Sequence, residues 1–350
     1  MSTATNEIEL RPAARLEGLR PYSTGTVRAE GALLLDANEG PGAPDAWLER
    51  LRSVDAEALR RYPKAAALEA AIAGRLGVDP ARVVVTAGGD DAIDRVCRVA
   101  LEPGRSIVVH TPTFEMITRG ARLAGGQVRS VPWLGGPFPG EAFESAISPE
   151  TGLVAIVSPN NPTGGVVGIE GVERVCRAAR AVGALVLVDL AYVEYADEDP
   201  TSRLLEFENA VIVRTFSKAY GLAGLRVGYA ITSERVAGWL RTVGGPYPVS
   251  APGLAIAGLA WEAGPEAAYL ERVRRERERL RSWLVDNGIE VLDSRANFVL
   301  ARIDSEGLAA RGVVVRAFGG ELAGWSRITL PGDDASFARL MDALGEVCDG

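Results

Sequence analysis

Six short runs rich in β-branched residues, at 83–86, 107–110, 153–158, 184–189, 211–215 and 227–231, recur through the first two-thirds of the chain. Each is almost continuously apolar, where a half-exposed strand would alternate. A strand with that texture is buried on both faces, as in a largely parallel sheet covered by helices. Amphipathic stretches at 90–101, 115–124 and 171–182 supply helices between them. The expectation is an α/β domain over residues 38–250. Beyond 250 the texture changes. Two long helical patterns, 251–264 and 267–287, precede short strand-like pieces at 289–292, 297–303, 313–316 and 326–330, then a last helix at 334–347. With residues 1–37 as an N-terminal arm, 251–350 reads as a smaller α+β domain. The 350 residues are long for one core and agree with that division.

Charge and composition exclude several classes. The net charge of −8 argues against nucleic-acid binding over a wide surface. The run ERVRRERERLR mixes signs at helical spacing and reads as a solvated helix face. A single histidine, His110, leaves no room for a histidine-based zinc site or a Ser-His-Asp triad, so no metal is expected. His110 ends a strand and suits a structural role. Cys97, Cys176 and Cys348 are too scattered for a disulfide framework, and the first two read as buried thiols. The N-terminal residues lack the apolar core of a signal peptide. No stretch approaches the ~18 apolar residues of a membrane span, so the expected compartment is the cytoplasm.

Only two of the 38 Lys and Arg residues are lysines, Lys64 and Lys218. Lys218 follows the strand VIVRT in RTFSKAYGLAGLRVGYA, at a carboxyl strand end, where open α/β sheets hold ligands. A lone lysine is usually a solvated surface residue. Here the flanking glycines permit close backbone approach, and Arg226 could fork onto a phosphate. Arginine cannot form an imine, whereas a desolvated lysine can. The strand ALVLVD ends in Asp189, with Tyr192 three residues on; a carboxylate at a buried strand end needs a cationic partner. SPNNPTGG follows a third strand and carries Asn161. Gly88-Gly89 leads into a helix near Asp90, whose free backbone N–H groups could hold a phosphate; an ordinary capped glycine turn is the plainer alternative.

Together SPNNPTG, VDLAY and RTFSKAYGLAGLRVGY resemble the fold-type-I pyridoxal-phosphate-dependent aminotransferases, in order and spacing, over nearly the whole chain. The resemblance implies an aspartate-aminotransferase-like fold, with a mostly parallel seven-stranded sheet, and pyridoxal 5′-phosphate as cofactor. It implies that Lys218 holds the cofactor and then moves the substrate proton, and that Asp189 pairs with the ring nitrogen. Tyr192 and Asn161 would meet the ring hydroxyl oxygen and Phe114 would stack on the ring. Ser217, Arg226 and the backbone at Gly89 and Asp90 would cradle the phosphate. Tyr62 would reach the phosphate in a neighbouring subunit, which implies a homodimer with shared active sites.

The ends of the chain are similar to the histidinol-phosphate aminotransferase branch. RLEGLRPYSTG places Tyr22 in the N-terminal arm, and GVVVRAFGG and GWSRITLPG place Arg316 and Arg327 where that branch grips the anionic end of its substrate. The resemblance implies amino transfer between L-histidinol phosphate and 2-oxoglutarate. Some positions depart from the pattern: Leu190, Gly40, the AGGDD run and GGPYPVSAP at 244–252. All are expected to border the cofactor or substrate. They leave open an aminotransferase for an aromatic or other amino acid, or a lyase or decarboxylase of the phosphothreonine type. A DNA-binding regulator on the same scaffold would need an added basic module, for which the acidic chain speaks poorly.

Overall fold

The computed structural model describes residues 12–22 and 30–349; residues 1–11 and 23–29 of the expected arm lie outside the described residues. In chain order the strands are β1 (Leu33–Leu35), β2 (Val83–Thr86), β3 (Ser106–Thr111), β4 (Gln127–Pro132), β5 (Thr151–Val157), β6 (Leu185–Asp189), β7 (Ala210–Thr215), β8 (Gly228–Ile231), β9 (Phe298–Ala301), β10 (Val313–Ala317) and β11 (Ser326–Thr329). The large sheet has the order β2-β8-β7-β6-β5-β3-β4, and only β8 runs against the rest.

Successive residues of the central strands feed opposite cores, which is why these strands read as unbroken apolar runs. Leu153, Ala155 and Val157 of β5 pack with Ile93, Val96 and Cys97 of helix Gly88–Ala100. Val154 and Ile156 pack with Val172, Val175 and Cys176 of helix Ile169–Ala181 on the other face. Cys97 and Cys176 are therefore buried free thiols, as expected. His110 is also buried. Its Nε2 accepts from Val157 N at 3.1 Å, and burial pushes its pKa down to about 4, so the ring is a neutral structural acceptor.

The small sheet has the order β1-β10-β11-β9, with β1 parallel to β10. Helices Ala267–Asp286 and Asp334–Asp349 close its core through Val273, Leu280, Leu340 and Leu344. Two details differ from the sequence reading. Residues 289–292 form only an isolated bridge, Val291 to Ala301. Helix Ala251–Ala263, read as part of the small domain, packs Ile256, Ala257 and Trp261 against Val83, Phe216 and Tyr229 beside the large sheet. Its apolar residues surround the helix rather than forming a stripe, and such a helix is buried on several sides.

Between β1 and the first helix, residues 36–41 lie as a strap across the turn that carries Lys218. A Cβ on Gly40 would fall 1.7 Å from Lys218 O, and one on Gly221 would fall 2.0 Å from Pro41 O. Both clashes are with backbone, which cannot swing aside. Gly40→Ala is expected to destabilise the fold by about 1–3 kcal/mol. Gly42→Ala, which meets nothing within 4 Å, should change stability little. Urea unfolding midpoints compare the two variants, and equal midpoints would show that the strap is not tightly seated.

Candidate active site

Because the strands run parallel, their carboxyl ends open on one edge, and there the predicted residues converge. They line a cavity of about 440 Å³ that is also lined by Tyr22 and, from the small sheet, by Arg316 and Arg327. Asp189, last in β6, is 4% exposed, and its Oδ1 accepts from Ala191 N at 3.0 Å. Burial raises its pKa to about 7. A carboxylate placed so expensively calls for a cationic group in the cavity.

Lys218 stands two residues beyond Phe216, just past β7, and is half-buried. Its Nζ donates to Ala37 O at 3.0 Å and lies 5.6 Å from the centre of the Tyr192 ring. Burial, assisted by the Arg327 charge, pulls its pKa down to about 8. At pH 7 about a tenth of the amine is therefore free, against well under a thousandth at the ordinary lysine value of about 10.4.

One end of the cavity suits an anion. Arg226, in the left-handed region at φ 53°, points its Nη1 to Ser217 Oγ at 3.4 Å and its Nη2 to Asp90 Oδ2 at 3.1 Å. Gly88 starts the neighbouring helix at φ +79°, and a Cβ there would sit 2.7 Å from Arg226 Nη2. The glycine thus lets the guanidinium lie against a helix N-terminus, whose first-turn N–H groups lack helical partners. The helix begins at Gly88, two residues before the sequence reading places it.

Phe114 precedes helix Glu115–Leu123 and offers a ring to the same space. Asn161, in the loop after β5, donates from Nδ2 to Tyr192 OH at 3.4 Å, and its Oδ1 accepts from Arg327 Nη1 at 2.5 Å. Burial raises the Tyr192 pKa to about 12, so its hydroxyl keeps its proton. Arg327 also donates from Nη2 to Asp36 O at 2.6 Å. Arg316 on β10 is its register partner, and directly opposed residues of an antiparallel pair share a face. The Arg316 guanidinium lies 6.0 Å from the centre of the Tyr22 ring, and Tyr22 is 42% exposed.

Tyr62 does not join this cavity. It is 77% exposed and stacks on Tyr247 at 4.5 Å. Of the departures, Leu190 turns into the core between sheet and helix, away from the cavity, and Tyr247 lies at the surface of this chain. The expectation that every departure borders the site therefore fails for Leu190. Gly40 does touch the site, through the Lys218 backbone. Sequence reasoning passed over Asp36, Ala37, Asn38 and Thr329. In this stretch, LDANEG, the contacts of Asn38 cross 291 residues to Thr329 and carry no local signal.

The donor set can be matched to one compound class. A phosphate-sized cradle, a ring face, a buried acid for a cationic ring nitrogen and an amine of lowered pKa fit pyridoxal 5′-phosphate, the cofactor the resemblance implies. The comparisons with known proteins agree. The family described as aminotransferase class I and II matches residues 29–344. A histidinol-phosphate aminotransferase of Granulibacter bethesdensis is 34% identical, over 87% of each chain. Histidinol-phosphate aminotransferase 2 of Caulobacter vibrioides is 36% identical over 94% of this chain and 93% of its own. Among solved structures, histidinol-phosphate aminotransferase from Sinorhizobium meliloti in complex with pyridoxal-5′-phosphate superposes with a TM-score of 0.78 at 28% identity, covering 91% of each chain. A Thermus thermophilus aspartate aminotransferase double mutant gives 0.82 at 24% identity, covering 97% of this chain and all of that one, which shows the shared fold. The chain belongs to the class I and II aminotransferases, and is a pyridoxal-phosphate-dependent member of that family.

Proposed function

We propose that this enzyme transfers the amino group of L-histidinol phosphate to 2-oxoglutarate, working as a homodimer with shared active sites. The observation that carries the substrate is the pair Arg316 and Arg327, side by side on β10 and β11 in the lining of the cavity, with Tyr22 against Arg316. Two guanidiniums on one face suit a phosphate dianion. They belong to the small sheet, whereas Arg226 precedes β8 of the large sheet, so a substrate anion and a cofactor phosphate would meet different arginines. The names of the similar enzymes support the same donor. The exposed Tyr62–Tyr247 stack supports the dimer, as a surface suited to reaching a second copy.

When bound, pyridoxal phosphate supplies an electron sink conjugated to the substrate amine. Each residue then has a distinct task. Lys218 Nζ would hold the cofactor by its carbonyl carbon and, as a free amine, would move the proton at the amino-bearing carbon of the substrate, a task its lowered pKa of about 8 suits. Asp189 would pair with a cationic ring nitrogen, which would offset the cost of its burial and favour the proton on that nitrogen. Tyr192 and Asn161 face the ring hydroxyl oxygen, and Phe114 covers the ring. Ser217, Arg226 and the N–H groups of Gly89 and Asp90 would hold the phosphate, the Arg226 guanidinium being paired with the Asp90 carboxylate in its absence.

Lys218→Ala is expected to abolish the visible absorbance that covalent attachment gives and to lower kcat by roughly 10²–10⁴-fold or more. Absorbance retained in the variant would move the attachment elsewhere. In the protein stripped of cofactor, acetylation of Lys218 by limiting acetic anhydride should rise with pH and level off above a midpoint near 8, because only the neutral amine reacts. Peptide mass spectrometry reads the yield, and a midpoint near the ordinary lysine value of about 10.4 would contradict the lowered pKa. Arg316→Ala should lower kcat/KM for histidinol phosphate by roughly ten- to a hundredfold while changing that for histidinol little. An equal loss with both donors would place the phosphate away from Arg316.

A further inference from the structure

The hydroxyl of Tyr192 is approached by two amide donors, Asn38 Nδ2 at 3.0 Å and Asn161 Nδ2 at 3.4 Å. A hydroxyl has two lone pairs and one hydrogen. With both lone pairs accepting, the hydrogen finds no protein acceptor among the described residues, and the free direction is the cavity that Tyr192 lines. The direction of the bond therefore depends on what keeps the two amides from turning over.

Both are held from β11. Asn161 presents its nitrogen because its oxygen accepts from Arg327. Asn38 presents its nitrogen because its oxygen accepts from Thr329 Oγ1 at 3.0 Å; the Asn38 backbone N donates back to that same hydroxyl at 3.1 Å. Asn297 Nδ2 donates to Asn38 O at 3.3 Å and fixes the backbone. Asn38 is 1% exposed and sits at φ 54°, a conformation asparagine tolerates better than most residues. The Asn161 hold runs through Arg327, the same guanidinium that would meet a substrate anion. The Asn38 hold does not involve Arg327.

We propose that Asn38 and Thr329 are positioning residues that fix Tyr192 as a one-way hydrogen-bond donor into the cavity. They act through the tyrosine, by a hold that does not involve Arg327. The donated hydrogen bond favours the deprotonated oxygen of the cofactor ring and so lowers the pH at which the bound chromophore titrates. This rests on the assignment of Tyr192 to that oxygen.

The test is a pH titration of the visible absorbance of the cofactor-loaded enzyme without substrate. Tyr192→Phe should raise the midpoint. Thr329→Val keeps the side-chain shape but frees the Asn38 amide to turn its oxygen toward Tyr192, and should raise the midpoint by about half a unit or more, roughly threefold in proton affinity. Thr329→Ser restores the hydroxyl and should titrate like the unaltered enzyme. Thr329→Val added to Tyr192→Phe should give no further shift. If Tyr192→Phe leaves the midpoint unmoved, the assignment of Tyr192 fails, and this proposal with it. If Tyr192→Phe moves it and Thr329→Val does not, or Thr329→Val still moves it without the tyrosine hydroxyl, the positioning role alone fails. Should Thr329→Val not fold, Asn38→Asp decides. It must raise the midpoint further in the presence of Tyr192 than in the Tyr192→Phe background, since its added charge acts in both.

Discussion

The Asp189 carboxylate, buried at the end of a parallel strand with one backbone N–H as hydrogen-bond partner, sets the terms for the rest of the site. Burial, outweighing the Ala191 N–H bond, raises its pKa to about 7, so the fold holds a carboxylate that a cationic partner would stabilise. The same low-dielectric space pulls Lys218 down to about 8. One cavity thus pushes an acid and a base toward neutral pH from opposite sides, a common signature of proton-transfer sites. The sheet makes this possible. Register pairs Val157 with Asp189 and Asp189 with Val213, which brings the ends of β5, β6 and β7 to one edge. Asn161, Tyr192 and Lys218 all follow within a few residues of those ends.

The second organising element is the strap at 36–41. Asp36 O accepts from Arg327, Ala37 O accepts from Lys218, and Asn38 meets both Tyr192 and Thr329. One short segment therefore touches the substrate-side arginine, the reactive amine and the ring-side tyrosine. Gly40 and Gly221 let it lie directly on the Lys218 turn, without room for a side chain at either position. The small domain is thereby joined to the chemistry by hydrogen bonds as well as by the packing of Tyr192 on Phe298 at 5.1 Å.

Much of this was legible in the sequence, for physical reasons. The central strands announced themselves because burial on both faces forces continuous apolar runs. Lys218, Asp189 and Asn161 stood out because each closes such a run. Strand β4, QVRSVP, escaped notice because it is an edge strand with mostly exposed side chains, and β1 because three leucines carry no period. The helix Ala251–Ala263 was assigned to the wrong core, since an all-round apolar helix does not reveal which neighbour it meets. Asn38 and Thr329 could not be paired from local pattern, because their bond spans 291 residues. Leu190 looked like a change at the active site and proved to be a core residue, its side chain pointing away from the cavity.

Family membership determines the cofactor; the amino donor depends on which anion Arg316 and Arg327 take. The most direct measurement is a single-turnover half-reaction on the cofactor-loaded enzyme, following loss of its visible absorbance. L-Histidinol phosphate would be compared with phenylalanine, tyrosine, arginine and phosphothreonine. The two-arginine reading predicts that histidinol phosphate discharges the chromophore at least about tenfold faster per molar than any of the others. A faster reaction with an unphosphorylated amino acid, or none with histidinol phosphate, would contradict it.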